Sequence, residues 1–168
     1  DGQASICAAM EAAFADFSLP LPDRNSVRRA VGLSLPQAVR RLLPQAEDDA
    51  HHAIAEAYKR HFRAAREAGV LEQPLIPGIA PLLADLHAAG WVLGVATGMS
   101  RRGLDHCLAG HGLTSLFTTL QTADYHPSKP HPAMLEAALE EAGAAPHQAV
   151  MIGDTALDTA MAQSAPVR

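Results

Sequence analysis

The fold is indicated most clearly by one stretch of the sequence, WVLGVATGMSRRGLDHCLAGHG, residues 91–112. It opens with an apolar run, WVLGVAT, which predicts a buried strand that ends at Thr97. It continues with a helical pattern for which Ser100 is the expected N-cap. Because a buried strand that leads directly into a helix is the building unit of parallel sheets, this stretch predicts an α/β protein.

The same alternation of helix and strand surrounds this stretch. A helix that ends at Gly90 is predicted before it, and a last helix is predicted from Thr155 onward. Between them we predict a short strand, a helix and a second buried strand, with the sequences FTTLQTA (117–123), PAMLEAALEEAG (132–143) and AVMIG (149–153). The expected fold is therefore a Rossmann-like parallel sheet covered by helices, which binds ligands beyond the carboxyl ends of its strands.

The first part of the chain, in contrast, shows only helical patterns. A charged stretch that begins near Asp48 predicts a long helix that stops at Gly69. The adjacent residues His51 and His52 lie in this stretch and are predicted to be solvated surface. We therefore divide the chain into a helical domain, residues 3–72, and an α/β domain, residues 73–168.

Composition and charge argue against several classes of protein. The 168 residues carry a formal charge of −5 and 4% aromatic residues, which disfavours nucleic-acid binding through a basic face or base stacking. No apolar run approaches the ~18–20 residues that span a bilayer, so no membrane association is expected. Cys7 and Cys107 do not form a disulfide framework, and they predict buried or half-buried thiols in a reducing cytoplasm.

Two polar segments lie where the predicted sheet would bind a ligand. Thr97 and Gly98 combine a hydroxyl, a flexible glycine and the start of a helix, which is typical of an anion cradle, although an ordinary cap and turn has the same residues. Lys129 and His131 each precede a proline, which holds them extended and can fix an ammonium group in place. The alternative for Lys129 is a solvated lysine on a rigid surface turn.

An acid pair follows the last predicted strand. Asp154 comes directly after AVMIG, and Asp158 lies four residues on, so that one helical turn could bring both carboxylates to the same point. Two converging carboxylates repel unless a cation lies between them, and Mg²⁺ prefers such oxygen ligands. The alternative is one capping and one surface aspartate. A hydroxyl, a lysine and an acid pair at one sheet edge are the groups that a phosphoryl group requires.

With these residues the sequence resembles the haloacid dehalogenase superfamily, in its phosphoglycolate-phosphatase-like branch. The motifs that carry the resemblance are VATG, SKPHP and IGDTALD, in that order. The resemblance implies that the helical region is a small cap inserted into the core. It also implies that Thr97 and Gly98 bind the phosphoryl oxygens and that Lys129 neutralises them and orients the nucleophile. Asp154 would ligate Mg²⁺, directly or through water, with support from Asp158.

A weaker match concerns the segment VGLSL, residues 31–35. Gly32, Leu33 and Ser34 match a cap segment that can face the active site in this family. Ser34 is therefore a candidate substrate contact.

The sequence departs from the family pattern at its start. The family's nucleophile is the first acid of a DxDGT motif after its first strand, whereas this chain starts with DGQASICAAM. We therefore expect the nucleophile outside these residues, and we expect unpaired edges where the central first strand is absent. Because SAPVR stops where the family would begin another strand, we interpret the chain as the interior of a longer protein.

The function implied is a Mg²⁺-dependent phosphomonoester hydrolase that acts on a small phosphorylated metabolite through a phosphoaspartyl intermediate. A phosphoglucomutase-like phosphotransferase and a non-catalytic binding or regulatory module remain alternatives. A dehalogenase of the same fold is disfavoured, because its members need no Mg²⁺ and usually lack the glycine–aspartate pair found here in GDTALD.

Overall fold

The computed structural model describes residues 2–71 and 73–167. The chain forms two compact units. The helical unit comprises the residues up to Val31 together with Leu35–Pro74, and the α/β unit comprises Gly32–Ser34 together with the residues from Leu75 onward. The segment Gly32–Ser34, here called the 32–34 tripeptide, thus packs with the α/β unit although helices of the other unit flank it in sequence.

The helical unit contains four helices, namely α1 (Gln3–Asp16), α2 (Arg24–Ala30), α3 (Leu35–Leu42) and α4 (Asp48–Glu67). Its core is apolar and contains Met10, Phe14, Val39 and Ile54. The predicted stop of α4 is confirmed, because Gly69 has a φ of +69°, a conformation that glycine adopts without strain.

His51 corrects the sequence prediction for the histidine pair. Its side chain is buried, and Nε2 donates to the Leu43 carbonyl oxygen at 2.8 Å, whereas His52 is exposed as predicted. His51 lies three and four residues before the buried Ile54 and Ala55, so it shares their face of α4. The prediction was wrong because it followed the charge of the surrounding residues and not this helical spacing.

The α/β unit confirms the predicted fold class. Its helices and strands are α5 (Ile79–Ala88), β1 (Leu93–Thr97), α6 (Arg101–Gly110), β2 (Phe117–Thr122), α7 (Ala133–Ala142) and α8 (Ala156–Ser164). The two strands are parallel, and Thr97 lies opposite Thr122 at their carboxyl ends. Ser100 caps α6 as predicted, since its hydroxyl accepts from the Gly103 amide at 3.2 Å. Two short 3₁₀ turns complete the unit.

The prediction of a buried strand at AVMIG is wrong. Residues 149–152 are not in a strand, and the side chains of Val150 and Ile152 are 61% and 85% exposed. At the start of the first predicted strand, Trp91 and Val92 are also more than half exposed. In the described part of the chain the sheet has two strands, so the apolar run at 149–152 has no ladder in which to pair.

Two other sequence expectations can be compared with the structure. Cys7 is a buried free thiol and Cys107 a half-buried one, as expected. Within the described residues, none of the helices combines the length and the apolar character that crossing a membrane would require.

Candidate active site

The α/β unit contains a buried ion pair between Lys129 and Asp158. Both side chains are almost fully buried, with residue exposures of 6% and 5%, and Lys129 Nζ lies 2.5 Å from Asp158 Oδ1. Removal of either partner would leave an uncompensated buried charge, which is strongly destabilising. The pair therefore fixes the ammonium group in one place.

The second oxygen of Asp158 is held by Thr155. Oδ2 accepts from the Thr155 hydroxyl at 2.6 Å and from the Thr155 amide at 3.1 Å, while the Thr155 hydroxyl oxygen accepts from the Asp158 amide at 3.3 Å. This is a capping box at the start of α8. Burial raises the pKa of the Asp158 carboxyl, but the hydrogen bonds from Lys129 and Thr155 and the Lys129 charge outweigh burial and lower the pKa overall.

Gly153 allows Asp158 to fold back over the start of α8. A Cβ atom on Gly153 would collide with the Cβ and carboxylate carbon of Asp158. The glycine of the IGDTALD motif is therefore required by the close approach of the acid five residues later.

Asp154 has different surroundings from Asp158. It is exposed, and among the described residues its carboxylate has no hydrogen-bond or ion-pair partner. The expectation that one helical turn joins the two acids is wrong, because α8 begins at Ala156 and Asp154 precedes the Thr155 cap. One acid is thus open to solvent and the other is engaged by protein groups on both oxygens.

The contacts of Asp154 and Asp158 determine which of the two acids could bind the expected Mg²⁺. Among the residues that the structure describes, no group of three or more His, Cys, Asp or Glu side chains could hold a metal ion. Mg²⁺, however, keeps several waters and commonly binds through one or two carboxylates together with substrate phosphate. The open carboxylate of Asp154 fits that mode of binding, whereas Asp158 has no oxygen free of protein contacts.

Thr97 and Gly98 lie at the carboxyl end of β1. The Thr97 hydroxyl oxygen accepts from the Met99 amide at 3.2 Å, which leaves the hydroxyl hydrogen available for another acceptor. Gly98 is not among the glycines with positive φ. Instead, a Cβ at Gly98 would lie 2.6 Å from the Leu33 carbonyl oxygen and 2.8 Å from that of Gly32. Glycine is needed here for close backbone packing.

The 32–34 tripeptide connects the loops that carry these residues. Besides its contact with Gly98, the Ser34 amide donates to the Ser128 hydroxyl at 2.6 Å. An added Cβ on Gly32 would lie 3.7 Å from the Thr155 hydroxyl oxygen, at ordinary contact distance. The loops after β1 and before α7 and α8 therefore meet at one tripeptide.

The sequence prediction missed two polar residues that hold this arrangement, Ser128 and Thr155. Thr155 had a usable signal, because a threonine three residues before an acid at a helix start is the pattern of a capping box. Ser128 had none, since its partner Ser34 lies 94 residues away.

Comparison with known proteins identifies the family of the chain. The model of the family described as haloacid dehalogenase-like hydrolase matches residues 1–168. A probable phosphatase, IndB, from Dickeya dadantii is 34% identical over 170 residues, covering 98% of this chain and 72% of that protein. A phosphoglycolate phosphatase from Nitrosococcus oceani is 29% identical over 152 residues, covering 89% and 68%.

The fold also matches that of a solved structure. The crystal structure of CbbY from Rhodobacter sphaeroides in complex with phosphate superposes with a TM-score of 0.82 at 26% identity. The match covers 100% of this chain and 80% of that one. The chain belongs to the haloacid dehalogenase-like hydrolase family.

Proposed function

We propose that the protein is a Mg²⁺-dependent phosphomonoester hydrolase that acts on a small phosphorylated metabolite in the cytoplasm. The observation that carries the proposal is the buried Lys129–Asp158 pair. Its lysine lies on a turn that the 32–34 tripeptide joins to Gly98, next to Thr97. Support also comes from relatives named as phosphatases and from a structural neighbour that holds phosphate. Phosphoglycolate is the substrate suggested by the name of one relative.

The residues of this site act on the phosphoryl group by binding and charge. Lys129, held by Asp158, places a positive charge that neutralises phosphoryl oxygens as negative charge develops. The Thr97 hydroxyl donates to a second oxygen, with help from the backbone of Gly98. Because these donors are positioned before substrate arrives, little reorganisation accompanies the reaction.

The proposed metal contact is made by Asp154. Its open carboxylate would hold Mg²⁺ together with water and a phosphate oxygen, while Asp158 supports the site by fixing Lys129. When bound, Mg²⁺ supplies charge neutralisation at the phosphoryl group.

The covalent step in this proposal uses an aspartate of a DxDGT motif, which these 168 residues do not contain. Its carboxylate oxygen attacks phosphorus, the P–O ester bond breaks, and the second acid of the motif gives its proton to the alcohol that leaves. Water then hydrolyses the phosphoaspartyl group to free phosphate and restores the carboxylate.

The test is hydrolysis of p-nitrophenyl phosphate by the product of the complete gene, with and without Mg²⁺. We expect Mg²⁺-dependent turnover that Asp154→Asn lowers by about a hundredfold or more, because the variant loses a charged oxygen ligand. Asp85→Asn, at an exposed acid of α5 in the same unit, is the matched control and should leave turnover unchanged.

Two results would decide against this function. A protein with an upstream DxDGT motif but no turnover contradicts the hydrolase proposal. A complete gene without the motif, whose product binds phosphate or Mg²⁺ without turnover, would establish the non-catalytic module instead.

A further inference from the structure

The serine next to Lys129 is as well buried as the lysine itself. Ser128 is 6% exposed, and its hydroxyl oxygen accepts from the Ser34 amide at 2.6 Å. Its carbonyl oxygen accepts from the His131 amide at 3.1 Å, which closes a turn around Lys129. Ser128 is therefore fixed through both its side chain and its backbone.

The 32–34 tripeptide is held by more than this hydrogen bond. The carbonyl oxygens of Gly32 and Leu33 pack so closely on Gly98 that no side chain fits between them. Gly32 itself has a φ of +100°, which glycine adopts without strain. The backbone of the tripeptide is thus held between the turn that carries Lys129 and Gly98, which follows Thr97 at the end of β1.

We propose that Ser128 is a positioning residue that latches the 32–34 tripeptide onto the Lys129 turn, so that the placement of Lys129 relative to Thr97 depends on this bond. The inference rests on the proposed hydrolase function. The Ser128 hydroxyl joins the tripeptide to the Lys129 turn, and these two segments lie 94 residues apart in the sequence. Small misplacements of a binding group lower the rate strongly, because catalysis depends on geometry.

The test compares Ser128→Ala, Ser128→Thr and the matched control Ser164→Ala in the complete protein. Ser164 also has a hydrogen-bonded hydroxyl, to the Ala160 carbonyl oxygen at 2.9 Å, but it is exposed near the end of α8. For Ser128→Ala we expect kcat for p-nitrophenyl phosphate to fall about tenfold with a smaller change in KM, as for the loss of one hydrogen bond. Ser128→Thr keeps the hydroxyl and should recover most of kcat.

A second readout does not depend on activity. Hydrogen exchange of the Ser34 amide, followed by NMR, should become at least about tenfold faster in Ser128→Ala, because that amide loses its acceptor. Amides within α7 and α8 should keep their rates. Should Ser128→Ala fail to fold, Gly98→Ala displaces the tripeptide from the opposite side and should give the same acceleration at Ser34.

The outcomes separate this inference from the function on which it rests. A wild-type protein without turnover refutes the hydrolase function, whereas the exchange rate still reports on the latch. Unchanged Ser34 exchange in the variants overturns the latch. Faster exchange with an unchanged kcat overturns the positioning role, and a kcat lowered equally by Ser164→Ala does so as well.

Discussion

The helical unit and the α/β unit bury different kinds of side chain. In the described part of the chain, His51 is the one buried polar side chain of the helical unit, whose core is otherwise apolar. The buried polar and charged side chains of the α/β unit are Thr119, Gln121, Thr122, Ser128, Lys129 and Asp158. Buried polar groups are costly unless they are paired, and their concentration in the α/β unit agrees with the proposed site in that unit.

The largest expected effect is at Lys129. We expect Lys129→Ala to lower turnover of p-nitrophenyl phosphate by about a thousandfold and the free energy of unfolding by about 3–5 kcal/mol, because Asp158 is left buried and unpaired. The measurements are steady-state kinetics and chemical denaturation. As a control, Lys59→Ala removes an exposed lysine that pairs with Glu56 at 2.7 Å, and it should change the free energy of unfolding by less than about 1 kcal/mol. Equal losses of unfolding free energy in the two variants would contradict the assignment of Lys129 and Asp158 as a buried ion pair.

The second prediction concerns the apolar core of the helical unit. Phe14 is 2% exposed on α1, and Phe17, at the end of the same helix, is 43% exposed. Phe14→Ala should lower the free energy of unfolding by about 3 kcal/mol through the cavity that it leaves. Phe17→Ala should cost less than about 1 kcal/mol. Thermal denaturation checks both, and similar losses would show that burial does not separate the two positions.

The smallest expected effect is a pH dependence in the helical unit. Arg24 donates to Glu11 at 2.6 Å and 2.8 Å, and these hydrogen bonds lower the pKa of the Glu11 carboxyl below its usual 4.5. A lowered folded-state pKa contributes stability that is present above pH ~4.5 and is lost as the pH falls through the folded-state value. The difference in Tm between the wild type and Glu11→Gln should therefore shrink between pH 6 and pH 3. A difference that is constant with pH would mean that the ion pair contributes nothing.

Local patterns were enough to predict most secondary structure. The helix after β1 was identified from Ser100, and α7 was bounded by Pro132 and Gly143, where the structure places its ends. These signals are local because capping groups and chain-reversing glycines lie within a few residues of the helix that they bound.

Several of the failures concern partners that lie far away in sequence. The run at 149–152 has the apolarity of a buried strand, but apolarity does not supply a neighbouring strand. The sequence suggests a flexible glycine at Gly98, whereas the structure needs glycine there because a side chain would collide with the carbonyl oxygens of Gly32 and Leu33. For the same reason, Ser128 could not be identified from its own neighbours.

The acid pair shows how the site prediction depends on where a helix begins. The four-residue spacing of Asp154 and Asp158 suggested a common helix face, but the helix starts two residues after Asp154. The roles of Thr97, Gly98, Lys129 and Ser34, and of both acids as metal ligands, stay predictions, and the kinetic experiments test those of Lys129 and Asp154.

The 32–34 tripeptide also determines where the chain tolerates added residues. One residue inserted between Leu33 and Ser34 would move the Ser34 amide by about 3.5 Å, farther than any hydrogen bond to Ser128 can stretch. The same insertion between Pro20 and Leu21, both exposed, disturbs no buried group. The two segments that flank the short helix α2 therefore differ in their tolerance of an inserted residue. An insertion before the helix leaves the Lys129 turn unchanged, whereas an insertion after it breaks the hydrogen bond between Ser34 and that turn.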